Sequence, residues 1–169
     1  PIHLPLPSRR KGNRKGLASL SETTAYIDMI GGASGDMLLG AMVAVGLDLD
    51  DLRVELDKFP DRGYRLEKKL VSRGGLEATL VDVVLDGDGE RKRTWDDFYT
   101  SIADSTLEDS DKRSIKKIFD VLAEAEASAH GGTAGSTHLH ELGTVDTLVD
   151  ISATVLGMRL LGVDKIHAS

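Results

Sequence analysis

Between Ser136 and Asp150 the chain reads STHLHELGTVDTLVD, the densest run of potential metal ligands in the sequence. His138 and His140 stand one residue apart, Glu141 follows at once, and Asp146 and Asp150 come within ten positions. In an extended backbone His138 and His140 project to one face and Leu139 to the other. Two imidazoles about 7 Å apart along the backbone can then converge on one metal ion, with Glu141 orienting an imidazole from behind. Gly143 breaks the run and Thr144 caps a helix in which Asp146 and Asp150, four apart, share a face. Ala153, Thr154 and Gly157 keep that face narrow, so a ligand or another backbone can approach. The plainer alternatives are a first-turn acid favoured by the helix dipole at Asp146, a solvated Asp150, and histidines that only cap or solvate a loop.

A second stretch, IGGASGDM, places Gly31, Gly32, Ser34, Gly35 and Asp36 between a strand and a helix. Such a turn aims unpaired backbone N–H groups at whatever sits there, which suits a phosphate or carboxylate. It lacks both the Gly-Lys-Ser/Thr ending and the GxGxxG spacing of known phosphate loops. The plainer reading is a tight turn with Ser34 as N-cap and Asp36 complementing the helix dipole. Asp28, on the strand just before, supplies a second carboxylate for the same pocket. His130 beside Gly131 reads as a cation at a helix C-terminus, and His3 and His167 carry no signal.

Composition limits the chemistry. The 169 residues contain no cysteine, which excludes disulfides, thiolate zinc sites and cysteine nucleophiles. A transition metal must therefore use imidazole nitrogen and carboxylate oxygen. At 40% hydrophobic and 29% charged the chain has a globular composition and the length of one domain. No apolar run approaches the roughly 18 residues of a membrane span, so a soluble, cytoplasmic protein without a membrane partner is expected. Residues 1–24 carry five basic side chains against Glu22, a net +4, so the remainder holds −11 of the total −7. That leading segment is expected to be a disordered basic arm. It lacks the apolar run of a secretory signal, and the acidic body argues against a nucleic-acid partner.

The elements that must position these residues follow from periodicity. Ala25–Ile30 reads as a strand. Met37, Leu38, Ala41, Met42 and Val45 recur at helical spacing up to Gly46, and Leu49 to Leu56 is a second short helix. Tyr64–Ser72 and Leu76–Leu85 alternate and form a β-hairpin around Arg73-Gly74-Gly75. Asp86–Lys92 is a charged loop without the ligand pattern of a calcium site. Helices follow at Trp95–Ala103, from Ser110 to Gly131 with a stripe of Ile115, Ile118, Phe119, Leu122, Ala123 and Ala129, and from Thr144 to Leu161. Val163–Ala168 starts another strand. The expected class is α+β, a small mixed sheet with a β-hairpin covered by four or five helices.

YIDMIGGASGDMLLGAMVAVGLD, then IFDVLAEAEASAHG, then HLHELGTVDTLVDISATVLGMRLLGVDKIHAS together resemble the start of the LarC-type nickel insertion proteins, which make the nickel-pincer nucleotide of lactate racemase. The resemblance rests on Ser34-Gly35-Asp36-Met37, Gly40-Ala41, His138, His140, Glu141, Gly143, Asp146 and Asp150. It departs at Gly32-Ala33, where an aliphatic pair is the pattern, and in the basic arm. It implies nickel insertion into a pyridinium bisthiocarboxylic acid mononucleotide, a lyase-class reaction that consumes CTP with a manganese or magnesium ion. It also implies that 25–169 is the N-terminal domain of a longer protein whose CTP-binding part lies beyond Ser169, with a homo-oligomer allowed. On that footing Asp36, Glu141 and Asp146 are the expected catalytic carboxylates. Asp28, Gly32, Ser34 and Gly35 would bind the mononucleotide, and His138, His140, Glu141 and Asp150 the nickel. The rival readings are a non-catalytic nickel metallochaperone, a metal-dependent nucleotide phosphohydrolase, and a scaffold whose polar cluster serves an oligomer interface.

Overall fold

The computed structural model describes residues 22–131, 139 and 142–169, apart from the Arg73 side chain; nearly all of the expected basic arm lies outside these residues. The described order is β1 (Thr24–Ile27), α1 (Gly35–Ala44), α2 (Leu49–Leu56), β2 (Tyr64–Arg73), β3 (Leu76–Leu85), a 3-10 turn at Gly87–Glu90, α3 (Trp95–Asp104), α4 (Asp109–His130), α5 (Val145–Leu160) and β4 (Lys165–Ala168). The class is α+β, as expected. The mixed pairing is divided between two ladders, an antiparallel β2–β3 hairpin and a parallel β1–β4 pair. In the hairpin Arg73 pairs with Leu76, so Gly74-Gly75 is the whole loop, and both glycines take positive φ, 60° and 81°. That is the turn whose twist matches the strands, and a side chain at either position would be strained.

The core is organised on α5. Val145, Leu148, Val149, Ser152, Ala153 and Leu156 are essentially buried, and α1, α2 and α4 pack around them. Small residues set the separations. A Cβ on Gly40 of α1 would stand 2.2 Å from the Thr79 carbonyl oxygen, so α1 lies directly on the β3 backbone. A Cβ on Gly157 would stand 2.8 Å from Met42 Sδ, so the Met42 side chain of α1 packs directly on the α5 backbone there.

α4 buries Ile115, Phe119, Ala123 and Ala127 at four-residue spacing and ends at Gly131 in the left-handed conformation. Phe119 meets Phe98 of α3 at 5.1 Å between tilted rings. Ile118, on the expected stripe, is instead 41% exposed, because the stripe is wider than the face α5 and α3 cover. α3 starts at a capping box in which Thr94 and Asp97 satisfy each other's backbone N–H groups.

The approach to α5 is pinned by Arg93. Its backbone N–H donates to the Gly143 carbonyl at 2.7 Å. Its guanidinium Nε donates to Asp61 Oδ1 at 3.1 Å, with the two side chains only 5% and 11% exposed. Asp61 also accepts the Ser101 hydroxyl. Leu139 is buried in the same core. Among the described residues no helix is long and apolar enough to cross a membrane.

Candidate functional site

α1 begins where the glycine turn ends. The Gly32 N–H donates to the Met29 carbonyl at 2.9 Å, and its φ of 88° is one that other residues rarely adopt. Ser34 holds the N-cap position in extended backbone, as expected, yet its side chain makes no capping bond. Its hydroxyl donates instead to Asp36 Oδ1 in the first turn.

The N-terminal half of α5 presents Asp146 and Asp150 one turn apart, and α1 reaches them through Gly35. A Cβ added to Gly35 would lie 2.0 Å from Asp150 Oδ2 and 2.6 Å from Asp150 Cβ, so no larger residue fits there without displacing the carboxylate. Asp36 from α1 and Asp82 from β3 act electrostatically on the same pair.

Four carboxylates from three elements are thus held together, with physical consequences. Burial first, then the charges of Asp146, Asp36 and Asp82, push the Asp150 carboxyl up to about 7. Burial, then Asp82 and Asp36, also raise Asp146. Asp150 Oδ1 is enclosed with no hydrogen-bond partner among the described residues. Like charges so placed favour a proton or a cation among them. Among the described residues, however, no three His, Asp or Glu side chains are placed to hold a metal ion. The cluster as described is therefore no oxygen shell for magnesium or manganese.

A groove of about 570 Å³ adjoins Asp150 and Ser34, walled by Ile118, Leu122, Leu142 and Ile151. The exposed flank of the α4 stripe forms one side of it.

The structure therefore brings Ser34, Gly35, Asp36, Asp146 and Asp150 together. It places Asp28 elsewhere: its carboxylate accepts the Ser169 hydroxyl at 3.1 Å and lines a different groove beside β1. Gly32 is exposed on the turn. His138, His140 and Glu141 lie outside the described residues, although Leu139 between the histidines is buried and Gly143 packs against the carbonyls of Leu139 and Arg93. Sequence reasoning missed Asp82, because an acid between Val81 and Val83 reads only as the polar face of a strand.

The site is thus a half-buried carboxylate cluster beside an apolar groove in an α+β frame. The comparison with known proteins is more specific. The family model for the nickel insertion protein matches residues 25–169. A relative from Citrifermentans bemidjiense is 39% identical over 145 residues, 86% of this chain and 38% of its own. One from Dictyoglomus thermophilum is 33% identical over 144 residues, 85% and 37% respectively. Both are provisionally named nickel insertion proteins. A third, from Nocardioides, is 38% identical over 147 residues, 87% and 37%, and is named pyridinium-3,5-bisthiocarboxylic acid mononucleotide nickel insertion protein. No solved structure matches. The chain belongs to the nickel insertion protein family, and it spans less than two fifths of the length of these relatives.

Proposed function

We propose that this chain forms the nickel-handling part of an enzyme that inserts nickel into a pyridinium bisthiocarboxylic acid mononucleotide, with CTP consumed by the full-length protein and lactate racemase served by the product. Family membership and the name of the Nocardioides relative support the substrate. One observation carries the local reading: Asp150 Oδ1, enclosed and without a hydrogen-bond partner among the described residues, within a cluster of like charges that a cation would relieve.

Nickel is the substrate ion and takes imidazole and carboxylate ligands. In this reading His138 and His140 deliver it, with Glu141 and Asp150 completing its ligands. Asp36, Glu141 and Asp146 offset its charge and that of the pyridinium ring during insertion. Ser34 and Gly35 offer N–H groups at the α1 N-terminus to the mononucleotide phosphate, Gly32 shapes the turn before them, and Asp28, set against Ser169, stands apart from it. Leu139 and Gly143 are themselves buried ahead of α5.

Equilibrium dialysis with metal analysis of the untagged chain tests the assignment. His138→Ala/His140→Ala is expected to weaken nickel binding about tenfold or more with an unchanged far-UV spectrum. Equal binding by both proteins overturns the delivery role. The rival reading is a metallochaperone module that binds nickel without catalysing its insertion. Nickel binding that resides here, with turnover requiring only the rest of the protein, would distinguish it.

A further inference from the structure

The parallel β1–β4 ladder is anomalous for its type. Parallel strands belong to sheets covered on both faces, and a two-stranded sheet is marginal alone. Here Thr24–Ile27 pairs with Lys165–Ala168, and no further strand joins either one among the described residues.

β1 is uncharged where solvent-facing strands are normally charged, whereas β4 carries Lys165 in an ion pair with Glu22. Thr24–Ile27, TAYI, carries none of the charges or prolines that blunt natural edges. Tyr26 is 69% exposed and Ile166 54%. Ile166 pairs with Ala25 in parallel register, so both point to the helix-facing side. Ala25 is half-buried there, and Ile166 is not, because the helix layer stops short of β4. Beside β1 a groove of about 510 Å³ is walled by Ile27, Leu38, Met42, Val45, Met158 and Val163.

We propose that this ladder is the edge of a wider sheet, completed by a strand from the polypeptide that full-length family members carry outside the matched region. That polypeptide is long enough to supply it: if 147 residues are 37% of the Nocardioides relative, roughly 250 of its residues lie outside the match. A strand added beside β4 satisfies its backbone groups by main-chain pairing, and apolar side chains at alternate positions cover Ile166. Parallel pairing favours this occupant over a second copy of the chain. A two-fold axis at an edge pairs a strand with itself antiparallel, whereas crossover connections within one polypeptide continue a parallel sheet.

Hydrogen exchange and solution mass test the proposal. The chain is measured alone and with the unmatched portion of the Nocardioides relative added as a separate polypeptide. The intact Nocardioides protein serves as the covalently joined case. Amides of 24–27 and 165–168, or their counterparts in the intact relative, are expected to exchange about tenfold or more slowly than in the chain alone. Ile166→Glu, a substitution at an exposed position, is expected to weaken the two-polypeptide complex while leaving the chain's own thermal transition unchanged. Protection in the intact relative alone still supports the proposal. Unprotected strands in both settings overturn it, and so does concentration-dependent protection of the isolated chain, which would make a second copy the occupant.

Discussion

Replacing Asp150 with Asn removes a charge that the fold holds at a cost, and the size of that cost follows from the site. The carboxyl moves from 3.8, the ordinary aspartate value, to about 7, mainly by burial and then by Asp146, Asp36 and Asp82. A shift of about three units corresponds to a ceiling of ~4 kcal/mol. Asp150 is only half-buried, and solvent screening cuts this by about half, leaving ~2 kcal/mol. The sign is set by proton binding. Between about pH 4 and pH 7 the folded state keeps the proton that the unfolded state has lost, so stability falls as pH rises through this window and is level above it. Asp150→Asn has no such proton. The variant should match the wild type near pH 4 and exceed it by ~2 kcal/mol at pH 8. Urea unfolding of both proteins at half-unit intervals from pH 4 to 8, free of metal, measures the gap. A gap independent of pH, or a variant less stable at pH 8, refutes the account of Asp150 as a half-buried, repelled carboxylate.

Other substitutions probe the close approaches that build the site. Gly35→Ala forces a methyl group into the Asp150 side chain and is expected to cost about 1–3 kcal/mol; Asp150→Ala in the same chain should recover most of it, which a double-mutant cycle reads directly. Gly40→Ala meets the Thr79 carbonyl, which is backbone and cannot swing aside. Its cost is expected to reach about 3 kcal/mol and to appear as faster hydrogen exchange along β3. Arg93→Met leaves Asp61 nearly buried without its guanidinium and should cost about 3–5 kcal/mol at neutral pH in urea unfolding; adding Asp61→Asn should restore part of it.

The order of elements was legible in the sequence because it rests on local rules. Alternation and the Gly74-Gly75 pair determine the hairpin register, the spacing of apolar residues marks α1, α4 and α5, and Gly131 ends α4. The spacing of Asp146 and Asp150 already placed them on one helix face, and the ordered motifs around Ser34–Met37 and His138–Asp150 pointed to the family. Only tertiary structure brought Asp36 of α1 and Asp82 of β3 to that face, because residues distant in sequence meet through packing that periodicity does not encode. Only packing turned Gly35 from a turn residue into the contact point for Asp150, and turned Ile118 from a core residue into a groove wall. It also set Asp28 apart from the other carboxylates, against Ser169 at the far end of the described chain. Sequence thus named Asp36, Asp146 and Asp150 as candidates but not Asp82, which only the fold brings to them. The protonation of Asp150, which depends on burial and on charges borne by other elements, was decided by the fold.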